Sequence, residues 1–122
     1  MRVSAVHHVS INVDDLDRAL RFYTKVLGLT VRTDRPLLGV DGAWLDAGDQ
    51  QVHLIVAEVP PDRGQHLALL IDDIDAAVAE LRQRDIRVSD PAPVAGVLQS
   101  FFRDPAGNRV EIDQRIDHHA RA

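Results

Sequence analysis

The feature that most restricts the fold of this chain is an internal repeat. The segment His8-Val-Ser-Ile-Asn-Val-Asp-Asp-Leu-Asp reads above His66-Leu-Ala-Leu-Leu-Ile-Asp-Asp-Ile-Asp at a spacing of 58 residues. His8, Asp14, Asp15, Asp17 and Ala19 recur as His66, Asp72, Asp73, Asp75 and Ala77, and apolar residues fall on apolar residues between them. The same spacing returns late in each half, where Trp44 falls on Phe102, Asp46 on Asp104, Val52 on Val110 and Leu54 on Ile112. Leu29 and Val31 match Ile86 and Val88 at a spacing of 57, so one half carries a loop that differs by one residue. The chain therefore reads as one domain, 1–122, made of two modules over about 4–58 and 64–114 with a short polar C-terminal tail.

Each module reads as strand, helix, then several strands. Val6 to Val13 alternates between polar and apolar residues, the two-residue period of a strand. Asp14 or Asp15 suits a helix N-cap, the spacing of Leu16, Ala19, Leu20, Tyr23 and Leu27 predicts the helix, and Gly28 suits its stop. Leu29 to Thr33 reads as a short strand, and Gly42 to Asp46 with Gln51 to Val56 as a hairpin. In the second half the same reasoning predicts a strand over Gln65 to Ile71, a helix opened by Asp73, a strand over Ile86 to Val88, a loop at Pro91-Ala92-Pro93, and a hairpin of Val97 to Arg103 with Arg109 to Asp113. Arg115 to Ala122 reads as a fraying tail or a short terminal helix, with His118 and His119 on the surface.

Composition narrows the function classes. With 14 Lys and Arg against 19 Asp and Glu, the net charge of −5 argues against nucleic-acid and anionic-membrane partners. Cysteine is absent, which excludes disulfides, thiolate catalysis and zinc–thiolate sites. No apolar run approaches the roughly 20 residues of a spanning helix, and the first residues lack the apolar core of a signal peptide, so a cytoplasmic location is expected.

The alternation then sorts side chains by face. Val9, Ile11 and Val13, with Val52, Leu54, Val110 and Ile112, should face the helices. The opposite face carries His8, Ser10 and Asn12, then Gln51 and His53, then His66, then Arg109, Glu111 and Asp113. His8 is the repeat mate of His66, and His53 of Glu111. A pseudo-twofold relation between the modules would let these four meet. Three imidazoles and a carboxylate form a borderline N/O ligand set for one divalent ion, Zn, Ni, Fe, Mn or Co. The set fits a closed tetrahedral site or a six-coordinate ion with two open positions, and the residues leave both readings open. His7 has the opposite parity and reads as structural.

Three segments together carry a family resemblance: His8-Val-Ser-Ile-Asn-Val-Asp-Asp-Leu-Asp-Arg-Ala-Leu-Arg-Phe-Tyr, His66-Leu-Ala-Leu-Leu-Ile-Asp-Asp-Ile-Asp, and Phe102-Arg-Asp-Pro-Ala-Gly-Asn-Arg-Val-Glu-Ile. Over roughly residues 4 to 114 the chain resembles the vicinal oxygen chelate superfamily, which includes glyoxalase I, methylmalonyl-CoA epimerase, fosfomycin-resistance transferases, extradiol dioxygenases and bleomycin-resistance proteins. The resemblance implies an α+β fold of two βαβββ modules whose mixed sheets form a cupped groove around a divalent metal. It maps His8, His66 and Glu111 onto the usual metal positions. His53 stands where glyoxalase I-like members carry Glu and epimerases carry Gln, so it reads either as a fourth ligand or as a group contacting the ligands or substrate.

The expected activity is lyase, isomerase or epimerase chemistry on a small oxygenated metabolite, with Glu111 and His53 as proton carriers. Ser10, Trp44, Phe102 and Arg109 are the candidate substrate contacts, and Arg103 could also bind an anionic group. Two alternatives share the fold: an Fe(II) dioxygenase using His8, His66 and Glu111, and a non-catalytic protein that sequesters a drug or metabolite. Strand edges left open by small modules, together with the family habit of pairing modules across chains, suggest a homodimer.

Overall fold

The computed structural model describes residues 1–116; the expected tail, with His118 and His119, lies outside them. The chain is α+β and divides within the Pro60–Gly64 segment into two compact units, Met1–Pro61 and a second starting at Asp62. The first unit contains β1 (His8–Val13), α1 (Leu16–Arg21), β2 (Thr30–Val31), β3 (Gly42–Ala47) and β4 (Gln50–Val56). Its sheet order is β1-β4-β3-β2, with β1 parallel and β3 antiparallel to β4. The second unit contains β5 (Leu67–Leu70), α2 (Ile74–Gln83), β6 (Ala92–Val94), β7 (Val97–Arg103) and β8 (Arg109–Arg115). Its order, β5-β8-β7-β6, repeats the first with β5 parallel to β8.

The repeated aspartates start the helices. Asp15 is extended (φ −137°) and its carboxylate accepts the Arg18 backbone N–H at 3.1 Å; Asp73 does the same for Ala76 at 3.0 Å. Each cap satisfies a backbone donor that the helix leaves open, a contribution of about 1 kcal/mol. α1 continues as a π-helical stretch over Phe22–Val26, in which the Leu27 N–H reaches back to Phe22 O at 3.1 Å. Gly28 then turns the chain with φ 76°, a left-handed conformation that costs glycine little. Tyr23, Leu45 and Leu54 are fully buried in the first unit, as are Ile74 and Val110 in the second. In both units the buried apolar strand residues share one parity, so His53 and Glu111 between them occupy the other face.

Two expectations about the second unit are corrected. Ile86–Val88 is not a strand, and the segment read as a loop at Pro91-Ala92-Pro93 contributes β6. The backbone of Ser89 bonds to that of Phe101 at 3.0 Å, but this contact does not extend into a ladder. Pairing starts instead from the two-residue turn Ala95-Gly96, where φ is 47° and 84°, the positive pair that matches strand twist in a tight hairpin. Pro93 is tolerated because β6 is an edge strand. β8 also runs past Asp113 to Arg115, which pairs with Val97.

Gly42 shows how tightly β3 lies on its neighbours. A Cβ there would collide with the Leu54 carbonyl oxygen and crowd the Arg35 guanidinium. Gly42→Ala is expected to lower stability by about 1–3 kcal/mol, seen as a reduced urea midpoint at unchanged slope.

Candidate metal and substrate site

In the first unit, β4 carries His53 between the buried Val52 and Leu54, so its side chain points to the opposite face. Its register partners are Ser10 on β1 and Trp44 on β3. The His53 ring lies between two others: His8 stacks at 3.9 Å and Trp44 at 4.6 Å, each 12° from parallel. Only 7% of His53 is exposed. Desolvation, followed by the charges of His8, His7, Arg35 and Arg32, lowers its pKa below the usual imidazole value. The ring is thus held neutral, the form a ligand or a base needs. Its Nε2 lies 2.8 Å from Gln51 Oε1, and His8 Nδ1 lies 2.8 Å from His7 Nδ1.

The second unit builds a pair with more complete geometry. Glu111 on β8 lies opposite Phe101 on β7 and Ala68 on β5, with 7% of its surface exposed. His66 immediately precedes β5 and places Nε2 3.1 Å from Glu111 Oε1. The other ring nitrogen, Nδ1, donates to the Gly64 carbonyl at 2.7 Å. With Nδ1 held by Gly64, Nε2 is the ring nitrogen that faces the carboxylate, the usual setting of a metal-ligating histidine. Two ligand atoms each about 2.1 Å from one ion and at right angles lie about 3.0 Å apart. The His66–Glu111 pair therefore fits a divalent ion. Among the described residues, no group of three or more His, Asp or Glu is gathered for metal binding.

Asp113 sits on the same face two residues beyond Glu111. Burial, then a hydrogen bond and the charge of Glu111, push its carboxyl up to about 6, while His66 acts the other way. Its Oδ1 is buried without a hydrogen-bond partner. The face parity in the sequence places Asp113 beside Glu111, but nothing in the sequence distinguishes it as part of the site.

The other candidate positions separate. Trp44 walls the His53 ring, and Ser10 is an exposed neighbour of His53 in register. Phe102, 3% exposed, pairs with Val110 on the core-facing parity and borders a pocket of about 780 Å³ in the second unit. Phe101 is the aromatic that faces Glu111: its ring centre lies 5.9 Å from that of His66, the rings 77° from parallel, and the Arg109 guanidinium lies over it at 5.9 Å. Matching Trp44 to Phe102 overlooked Phe101, because β4 and β8 are related by 58 residues but β3 and β7 by 57. The extra residue is in the turn. Ala47 pairs with Gln50 across two residues, whereas Asp104 bonds Asn108 across three. Counting the hairpin register back from Glu111 would have found Phe101.

Asp62 organises the edge of this face. Its Oδ2 accepts from Arg103 at 2.7 Å and from Arg109 at 3.2 and 3.0 Å, and its Oδ1 accepts the Gly64 N–H at 2.8 Å. The Gly64 backbone, then the Arg103 and Arg109 guanidiniums, hold the carboxyl down to about 2. A depressed native pKa stabilises the fold above the unfolded value near 4, and this contribution disappears as pH falls toward 2. Asp62→Asn is therefore expected to be less stable than the parent at pH 7, with the difference closing between about pH 4 and 2 in urea melts.

Comparison with known proteins agrees with this architecture. Residues 5–112 match the model of the Glyoxalase/Bleomycin resistance protein/Dioxygenase superfamily. The chain is 29% identical to mouse "Methylmalonyl-CoA epimerase, mitochondrial" over 132 residues, covering 93% of this chain and 74% of that protein. It is 28% identical over 123 residues to Arabidopsis thaliana "Probable lactoylglutathione lyase, chloroplastic", covering 88% of this chain but only 35% of the plant protein. The crystal structure of a glyoxalase family protein from Bacillus anthracis superposes with a TM-score of 0.84 at 26% identity, covering 95% of this chain and 100% of that one. The repeat, the paired sheets of identical strand order and the family match over nearly the whole chain lead to one assignment: this chain belongs to the Glyoxalase/Bleomycin resistance protein/Dioxygenase superfamily.

Proposed function

We propose that this protein is a divalent-metal-dependent enzyme of the lyase, isomerase or epimerase type that acts on a small oxygenated metabolite. The observation carrying this reading is the His66–Glu111 pair, with one ring nitrogen held by Gly64 and the other sharing a 3.1 Å contact with the carboxylate. The proposed ligands in the second unit are His66 and Glu111; in the first unit the candidates are His8 and His53, the latter either as a ligand or as a base. Zn, Ni, Fe, Mn and Co all suit such a set. When bound, a divalent ion supplies Lewis acidity, which lowers the pKa of a C–H or O–H next to oxygens it chelates.

The chain's own groups perform the remaining work. Glu111, 7% exposed and 3.1 Å from His66 Nε2, can take a proton from substrate and return it. His53, held neutral between two rings, is the second proton carrier. Trp44 beside His53 and Phe101 beside Glu111 supply apolar walls against water, and Arg109 and Ser10 offer polar contacts to substrate.

The test has two parts. Protein purified without added metal is analysed for elements, stripped with EDTA, and melted with Zn, Ni, Mn, Fe and Co in turn. The reading expects bound metal and a metal-dependent rise in Tm, with proton–deuterium exchange on 2-oxo or 2-hydroxy thioesters. Iron with oxygen uptake would favour the dioxygenase alternative; no metal and no thermal response would favour the binding-protein alternative. The proposed state is a cytoplasmic homodimer, for which light scattering should give twice the 13.5 kDa chain mass at micromolar concentration.

A further inference from the structure

The second unit contains a cavity whose charge opposes that of the chain. A protein of net charge −5 here lines a pocket of about 780 Å³ with Arg87, Arg103 and Arg109. The rest of the lining is largely apolar, including Val88, Phe101 and Phe102. Asp62 is the carboxylate bonded to Arg103 and Arg109, so it cannot balance three guanidiniums. Arg87 is exposed and makes no ion pair among the described residues. Arg103 and Arg109 remain half-exposed, 52% and 36%, although Asp62 holds them. Asp62 uses the Nε and Nη2 of Arg109, leaving Nη1 free to donate. Arg103 and Arg109 are therefore fixed in place yet still able to donate to a ligand, an arrangement that lowers the entropy cost of binding an oxyanion.

The position of this pocket adds to its chemistry. The Phe101 ring has Arg109 over it and lies nearly perpendicular to the His66 ring, and its backbone pairs with Glu111. One aromatic ring thus borders both the cationic cavity and the His66–Glu111 pair.

We propose that this cavity binds the anionic end of the substrate: a small molecule with a carboxylate or phosphate held by Arg87, Arg103 and Arg109 and a planar or apolar body against Phe101 and Phe102. The proposal names the substrate class for the metal reading above and rests on it for the reaction, but the binding itself requires no metal.

The experiment uses the EDTA-treated full chain. Amide shifts of Ser89, Phe101 and Arg109 are followed while phenyl phosphate, benzoate, inorganic phosphate and neutral benzamide are each titrated. Saturable binding of phenyl phosphate or benzoate is expected, at least tenfold tighter than inorganic phosphate, with benzamide silent at the same concentrations. The tighter of the two aromatic anions identifies the head group. Arg87→Gln and Arg109→Gln should each weaken that ligand about tenfold. Should Arg109→Gln lose its folded amide spectrum, Arg87→Gln decides the matter. No saturable shift with any anion, benzamide binding as well as benzoate, inorganic phosphate binding as tightly as phenyl phosphate, or unchanged affinity in the folded variants overturns the proposal. Because metal is absent throughout, anion binding and metal dependence can each fail while the other stands.

Discussion

Glu111→Gln is expected to abolish the metal response while raising the stability of the metal-free protein. The opposite signs follow from the surroundings of one carboxylate. Without metal, Glu111 is buried beside Asp113, and two carboxyl groups must share one desolvated face. An amide of the same shape removes one charge and can donate to Asp113, so Tm in EDTA should rise by a few degrees at pH 8. With metal, the parent at a free ion concentration 100 times its Kd gains about 2.7 kcal/mol. A glutamine oxygen is a poor substitute for a carboxylate ligand; a hundredfold loss of affinity would leave a gain of only about 0.4 kcal/mol at the same concentration. Calorimetry in EDTA and in excess Zn or Ni measures both signs. An unchanged metal response would remove Glu111 from the ligand set. A lower Tm in EDTA would assign the 3.1 Å contact to a protonated His66 paired with Glu111, since breaking a buried ion pair is destabilising.

The repeat made most of this architecture legible. The helix caps at Asp15 and Asp73, the central hairpins and the core parity all come from local rules that a strand or helix period enforces. Ile86–Val88 misled because an apolar run meets the strand pattern whether or not its backbone finds a ladder, and here the Ala95-Gly96 turn directs β6 elsewhere. At the site, the polar face of β4 and β8 was readable, including the placement of His53 and Glu111. Phe101 was not, because a single inserted turn residue changes which of two adjacent phenylalanines faces Glu111. Nor was the role of Asp62. It lies in what reads as a linker, and its two arginine partners are 41 and 47 residues away.

That inserted residue makes the Asp104–Asn108 turn the place where the second unit's site is set, and Asp104→Ala should therefore carry the largest stability cost among its polar residues. Asp104 is 5% exposed. Its Oδ1 accepts the backbone N–H groups of Ala106 at 3.0 Å and Asn108 at 2.8 Å, and Oδ2 accepts the Asn108 side-chain amide at 2.9 Å. Alanine leaves these donors without their partner in a part-buried turn, a loss of about 2–4 kcal/mol. Asp104→Asn keeps one oxygen for the two backbone donors but turns its own amide toward that of Asn108, so roughly half the cost should return. The register of Arg103 with Arg109 and of Phe101 with Glu111 continues directly from this turn. Amide shifts of Phe101 and Glu111 should move in Asp104→Ala and recover in Asp104→Asn, in parallel with the urea midpoint. A loss below about 0.5 kcal/mol for alanine would mean that Pro105 and Gly107 set the turn through backbone geometry alone, with the carboxylate contributing little.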